Sequence, residues 1–472
     1  MTRSSSAPGY ITDTGYPWHF HRETMPAWNA AILTALGRRA PDLTRPYTWL
    51  ELGCGSGLDV VVGAATNPQG RFIGIDFNAR AIEQGRALAR DAGVGNASFH
   101  CLGFEQVLEA SESGIPACDF LVVHGVYSWV SAEARSAIRR IVAQKLKPGG
   151  VLYLSYLSHP GFASFAAARR LMRMVAADSS CTSADKARSA MAFLQRMSDA
   201  GAGYFQDHPG MLPATQPIDD ATAAFLAHEY LNEHWDVLHT ADVMAELAEA
   251  GCEYAGSAAP CENVDSASLP PATQGMLEEL RRSGADAAVV ETFKDLARNQ
   301  TQRCDIYQRR RPGGNLLSDP AHQAGLLGQR VCLLPAAPAG PIPVRGSITF
   351  SSRIGPVSLP MGDVAPLLAL LQDGPCSYAD LAGLSAYAQR PGFVNLLLQI
   401  LAWAGWLQFL RPDLHSAGGA ECASRLNAVL ARSPAPFNGP ILAAAAIGSA
   451  IPVPDGSAGD MLRLEWLEWL GS

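Results

Sequence analysis

Two short stretches constrain this chain more than any other: a glycine-rich turn and an acid a fixed distance beyond it. Trp49, Leu50 and Leu52 are apolar and run into Gly53-Cys54-Gly55-Ser56-Gly57, the pattern of a buried strand feeding a tight turn. Gly53, Gly55 and Gly57 have no Cβ, so the backbone there can turn sharply and approach a ligand, and Asp59-Val60-Val61-Val62 opens the helix that follows. Phe72 to Ile75 is a second apolar strand, and it ends in Asp76. In a doubly wound sheet the ends of two such strands lie side by side, and an acid about 20 residues past the glycine loop can accept the hydroxyls of a ribose. The pair predicts an α/β fold with a nucleoside site.

The spacing separates one kind of nucleoside from another. A dinucleotide loop reads Gly-x-Gly-x-x-Gly and seats a pyrophosphate at a helix N-terminus. Here it reads Gly-x-Gly-x-Gly, with Glu51 two residues ahead, where an acid repels phosphate and suits an ammonium group. Glu51-Leu52-Gly53-Cys54-Gly55-Ser56-Gly57 followed by Gly74-Ile75-Asp76-Phe77-Asn78 resembles the S-adenosylmethionine loop of class I methyltransferases. The resemblance implies a Rossmann-like, seven-stranded sheet. It implies that Gly53, Cys54, Gly55 and Gly57 form the cofactor loop, that Glu51 supports the methionine ammonium and that Asp76 holds the ribose. It also implies that Phe77, Asn78 and Phe104 flank the adenine, while His124 and Gly125 stand at the cofactor end of the fourth strand.

Composition narrows the function classes. With 472 residues and 48% hydrophobic content the chain can bury a large core and form two or three domains. A formal net charge of −8 argues against general attraction to nucleic acid. The ten cysteines are dispersed, without Cys-x-x-Cys pairs or zinc-like histidine spacing, so neither a metal site nor a disulfide framework is expected. No apolar run follows Arg3 and no stretch of about 20 apolar residues occurs, so a cytoplasmic protein without a membrane span is expected.

Taken in order, Tyr16-Pro17-Trp18-His19-Phe20-His21 precedes a helix over 26–39; this aromatic lead-in either closes over the cofactor or plugs the sheet edge. The third strand is 97–101 and the fourth 120–123, running into His124-Gly125-Val126-Tyr127-Ser128-Trp129-Val130. Polar groups at the carboxyl end of a strand in such a sheet face the ligand crevice, so His124 and Tyr127 are candidates for the reacting centre, each against a plain packing role. Leu146-Lys147-Pro148-Gly149-Gly150 turns into the fifth strand, 151–156. His124 to Val130, Tyr156-Leu157-Ser158-His159-Pro160-Gly161-Phe162 and His228-Glu229-Tyr230-Leu231 look like bacterial methyltransferases that carry a methyltransferase regulatory domain. That group includes rickettsial protein lysine methyltransferases acting on outer-membrane proteins. Relatives commonly read Tyr-Asn-Thr-Tyr-Pro-Gly-Trp where this chain has Tyr156 to Phe162, which leaves the acceptor open. If the acceptor is a lysine amine, Tyr127, Tyr156, His124 or His159 can position the neutral amine or take its proton.

Residues 163–235 form a helical insertion that acts as a lid, and a helix is expected over 225–235. A sixth strand at 252–257 and a seventh, antiparallel one at 303–309 complete a catalytic domain spanning 1–312. Residues 313–345, rich in Pro, Gly and Ala, read as a linker to a winged-helix-like domain over 346–472 used for protein docking or dimerisation. Its lack of lysine argues against DNA. The tail, Met461 to Leu470, reads as an amphipathic helix docked on a core. The expected activity is S-adenosylmethionine-dependent methylation, of protein lysine or alternatively of a small molecule, with a silent cofactor-binding protein as the third reading.

Overall fold

The computed structural model describes residues 9–109, 114–177, 181–212, 217–338, 340–352, 354–388, 390–413 and 419–453. The amphipathic tail expected over 461–470 lies outside the described residues. The first half alternates strands and helices: α1 (Pro26–Ala35), β1 (Tyr47–Leu52), α2 (Leu58–Thr66), β2 (Gly70–Asp76), α3 (Ala79–Asp91), β3 (Ala97–Cys101), α4 (Phe104–Glu109), β4 (Cys118–Val123), α5 (Ala132–Lys145) and β5 (Leu146–Leu157). After the lid come α10 (Thr240–Glu249), β6 (Cys252–Ser257), three helices, and β7 (Gln302–Arg309). The sheet runs β3-β2-β1-β4-β5-β7-β6, with β7 antiparallel to both neighbours. The expected seven strands are therefore present in a Rossmann-like order.

Side chains alternate across a strand, and both faces of this sheet are covered, so its strands read as near-continuous apolar runs. Trp49, Phe72, Phe120, Val122 and Tyr153 face one core; Leu50, Leu52, Ile73, Ile75, Leu121 and Leu154 face the other. Asn78 and Ser131 cap α3 and α5 by accepting from backbone N–H groups of the first turn.

Between β5 and α10 the lid comprises α6 (Phe165–Ala176), α7 (Ser183–Asp199), α8 (Gly203–Asp207) and α9 (Asp220–Tyr230). It has its own core, in which Phe165, Met172, Met191, Leu194, Leu226 and Trp235 are buried. The helix expected over 225–235 begins earlier, because Asp219 accepts from the Thr222 N–H, and it stops at Tyr230. Between β6 and β7 lie α11 (Asp265–Ser268), α12 (Pro271–Arg282) and α13 (Ala287–Arg298). Arg303 of β7, fully buried, ties this insertion to the sheet: its guanidinium donates to Asp305 at 3.0 Å, Asp295 at 2.5 Å and Glu291 at 2.9 Å.

The stretch read as a linker is structured. It contains α14 (Asp319–Gly328), which packs on α1, and β8 (Arg330–Leu333). There follow β9 (Ser347–Ser352), β10 (Gly355–Pro360), α15 (Met361–Gln372), β11 (Cys376–Ser377), α16 (Tyr378–Ala382), α17 (Pro391–Trp403), β12 (Leu407–Phe409), α18 (Gly419–Leu430), β13 (Ile441–Ala444) and β14 (Ser449–Pro452). The expected hairpin is β9–β10, a sheet of its own; β8 is the central strand of a second small sheet, β11-β8-β12. Composition misled because Pro and Gly at 312–345 are concentrated in the turns on either side of these elements.

Nor is the C-terminal region a tethered module. Leu397, Ile400 and Leu401 of α17, with Leu407 and Phe409, belong to the same buried cluster as Trp28, Val61 and Phe72. The Trp28 and Phe409 rings meet edge to face at 6.2 Å. Asn67 donates to the Gly448 carbonyl at 2.9 Å, and Arg411 to the Thr66 carbonyl at 2.6 Å. A shared core unfolds as a unit, so calorimetry of the whole chain should show one main transition. Leu397→Ala should lower its stability by about 2–5 kcal/mol, whereas two separated transitions with only the second one moved would mean independent domains.

Candidate active site

The parallel register of β1 and β2 sets Leu52 beside Ile75, so the glycine turn begins level with Asp76. The N–H groups of Gly53 and Cys54 donate to the Ile75 carbonyl at 2.7 and 3.0 Å. Asp76 fastens the turn further: its Oδ2 accepts from the Gly55 N–H at 2.9 Å and its Oδ1 from the Asn78 N–H at 2.8 Å. The three loop glycines all have positive φ but differ in surroundings. A Cβ on Gly53 would meet Val126 at 2.4 Å and one on Gly57 would meet Phe99 at 2.3 Å, whereas nothing lies within 4 Å of one on Gly55. Gly53 and Gly57 serve close packing; Gly55 alone opens onto free space.

That space is a cavity of about 520 Å³. Its floor is the turn, with Glu51, Gly53, Cys54, Gly55 and Asp76. One side carries Phe77, Leu102 and Phe104, another His124, Gly125, Val126 and Trp129. The roof comes from the N-terminal segment, through Tyr10, Tyr16, His19 and His21. Of the residues singled out from sequence, Gly57 and Asn78 are set back from the cavity, Gly57 as the left-handed N-cap of α2 and Asn78 as the cap of α3.

Tyr127, Tyr156 and His159 do not reach the cavity either. The Tyr127 hydroxyl donates to Glu246 at 2.7 Å and accepts from Arg139 at 3.2 Å. The Tyr156 hydroxyl donates to Asp305, inside the Arg303 network, at 2.8 Å. The His159 ring stacks on His239 at 3.9 Å. Of the four reacting-centre candidates, His124 is the one that lines the cavity. Its Nδ1 lies 3.0 Å from the Tyr153 hydroxyl, and burial, reinforced by His21 and His19, holds its pKa well below the ordinary histidine range.

Sequence reasoning passed over Asp59 and left His19 and His21 undecided. Asp59 is visible in the sequence only as an acid at the start of a helix; in the structure both its oxygens hold His21, Oδ1 accepting from its N–H at 3.0 Å and Oδ2 lying 2.9 Å from its Nδ1. The lead-in therefore covers the cavity rather than plugging the sheet edge. The lid meets it, the Tyr16 ring lying edge to face with His228 at 5.2 Å, and Trp129 donates to the Glu229 carbonyl at 3.1 Å.

The charge balance is one-sided. Glu51, Asp59, Asp76, Glu105 and Glu133 line the cavity and, among the described residues, no lysine or arginine does. Glu51 is 4% exposed and its Oε2 has no hydrogen-bond partner. Burial, then Asp59 and Asp76, push its pKa well above the carboxylate range. A buried carboxyl oxygen without a partner is costly unless a cation or donor reaches it, so the cavity fits a ligand that brings positive charge and hydroxyls. The glycine geometry gives a direct check. Gly57→Ala, strained at φ 73° and against Phe99, should lower the melting temperature markedly. Gly55→Ala should cost about 1 kcal/mol in stability yet weaken S-adenosylmethionine binding by titration calorimetry; the reverse ranking would contradict the assignment of the two glycines.

Comparison with known proteins agrees with this geometry. Residues 43–203 match the family described as "Methyltransferase domain", and residues 222–309 match "Predicted methyltransferase regulatory domain". The uncharacterized protein sll1526 of Synechocystis is 31% identical over 376 residues, covering 79% of this chain and 71% of that one. The uncharacterized protein RP028 of Rickettsia prowazekii is 29% identical over 219 residues, 46% of this chain and 85% of that one. PKMT2 from Rickettsia typhi, solved in complex with AdoHcy, is 19% identical and superposes with a TM-score of 0.68 over 97% of this chain and 92% of that one, which shows a common fold. With the glycine turn, the acid after β2 and the cation-seeking cavity in place, the chain belongs to the class I S-adenosylmethionine-dependent methyltransferases that carry a methyltransferase regulatory domain.

Proposed function

We propose that this methyltransferase modifies a lysine side-chain amine of a protein. The observation that carries the reading is the acid lining of the cavity: Glu51, Asp59, Asp76, Glu105 and Glu133 line it and, among the described residues, no lysine or arginine does, Arg140 reaching only Glu105, at 2.5 Å. Such a field attracts a cationic acceptor and repels phosphate or carboxylate ones, as the net charge of −8 does at longer range. The likeness in fold to PKMT2 agrees with it.

In this reading Glu51 takes the methionine ammonium of the cofactor, Asp76 its ribose hydroxyls, and Phe77 and Phe104 flank the adenine. The cofactor supplies a methyl carbon made electrophilic by its sulfonium sulfur. The chain holds the acceptor nitrogen in line with that carbon, and orientation of this kind accounts for much of a transferase's rate. The His124 and Gly125 end of β4 faces the transfer point. The lid and the N-terminal roof exclude water, which favours the neutral amine over the ammonium whose free pKa is about 10.4. The C-terminal region reaches the elements around the cavity: Phe437, 36% exposed, stacks on Phe225 of the lid at 4.9 Å and packs on His19, which lines the cavity. We assign protein docking to this C-terminal surface.

Incubating the protein with radiolabelled S-adenosylmethionine and host-cell extract should place label in the protein fraction, recovered as methyl-lysine after acid hydrolysis and absent with Asp76→Ala. Label confined to small molecules would replace this reading with a metabolic one. Titration adds a second check. Because Glu51 is held protonated above the ordinary carboxylate range, binding of the cationic cofactor must displace its proton. Affinity should therefore rise with pH, by at most about tenfold per unit, with proton release seen in calorimetry. Glu51→Gln should flatten the rise and weaken binding at the alkaline end; an unchanged slope would remove Glu51 from the ammonium site.

A further inference from the structure

His21 and Asp59 form a pair in the lining of the cavity. Asp59, 5% exposed at the start of α2, uses one oxygen for the His21 backbone N–H and the other for its Nδ1. That double hold fixes the ring as well as the chain, and it leaves Nε2 to the cavity that His21 lines. The ring lies over His124, centroid to centroid 3.7 Å, at the end of β4. A histidine whose second nitrogen is committed to a buried carboxylate is oriented and made more basic, as a general base requires.

We propose that His21 accepts the proton of the acceptor ammonium, with Asp59 as its positioning residue. This rests on the amine-acceptor reading above. The ammonium N–H bond breaks and its proton passes to His21 Nε2. The freed lone pair then forms the N–C bond to the methyl carbon while the C–S bond breaks and its electron pair stays on sulfur. The product is a methylammonium, and the imidazolium returns its proton to water, so one proton is released per turnover.

The groups around His21 set the direction of its pH response. Burial alone lowers its affinity for a proton; Asp59 from α2, by charge and hydrogen bond, and Glu23 on its own segment more than reverse this and raise it. His19 on the same segment and His124 from β4, itself backed by Tyr153 of β5, face it as well. His124, neutral through burial, is the poorer proton acceptor. The placement of His21 also depends on the far end of the chain. Asn438 donates to the Phe20 carbonyl at 2.7 Å and accepts from the Phe20 N–H at 3.4 Å, and Phe437 packs on His19 at 4.9 Å. The C-terminal region thus holds the segment on which the base sits.

The test uses the full chain, labelled S-adenosylmethionine and the protein fraction of host-cell extract as acceptor. At saturating cofactor, where the Glu51 effect on binding drops out, the wild-type kcat should rise with pH along an acidic limb. His21→Gln should bind the cofactor within about twofold by calorimetry, lose about 10²–10⁴-fold in kcat and lose that limb. Asp59→Asn should keep the limb but move it to lower pH, because the carboxylate no longer raises the histidine. Asn438→Ala should lower kcat less than His21→Gln with the limb in place. A His21→Gln protein that labels lysine at the wild-type rate, or one whose loss in turnover only tracks a loss in cofactor binding, overturns the proposal and leaves the lysine reading standing. Failure of the wild-type chain to label any amine overturns that reading, and this base with it.

Discussion

The site depends on the parallel pairing of β1 with β2. Because the two strands end level, the turn after Leu52 and the carboxylate of Asp76 meet without long connections, and Asp76 can hold Gly55 by its backbone N–H. A one-residue slip would send Asp76 to the opposite face and bury the turn against a side chain. Two faces packed with apolar side chains make such a slip expensive, so the two cores hold the register on which ligand binding relies.

A second constraint is electrostatic. The fold removes Glu51 from water and places Asp59 and Asp76 near it, with no lysine or arginine among the described residues that line the cavity. In the free protein this is a store of unfavourable energy, relieved in part by protonation of Glu51. Asp59 is relieved differently, through His21, which explains why the N-terminal segment folds back over the cavity although it is far from the sheet in the chain.

The chain departs from a catalytic domain with an appended module. Its last part shares the core of the first, and the loop carrying Phe437 and Asn438 reaches round to the N-terminal segment and the lid. Three regions remote in sequence therefore meet beside the cavity, at the N-terminal segment and the lid. Phe437 packs on His19 and Asn438 bonds the Phe20 backbone, so the C-terminal region touches the segment that carries His21.

The sequence by itself determined the sheet and the cofactor turn, because both are local: apolar runs of strand length, glycines where the backbone turns, and an acid at the end of the next strand. Glu51, Gly53, Gly55, Asp76 and His124 could be named from their places at strand ends, and the family resemblance added Phe77 and Phe104. Tyr127, Tyr156 and His159 looked alike in sequence, but a strand-end side chain can point to either side of the sheet, and only packing against Glu246, Asp305 and His239 decided that these three turn away. Tertiary structure alone also decided that 313–345 is not a linker and that His21 and Asp59 form a pair. Both rest on contacts between segments separated by tens to hundreds of residues, and such contacts leave no periodicity in the chain for a reader to find.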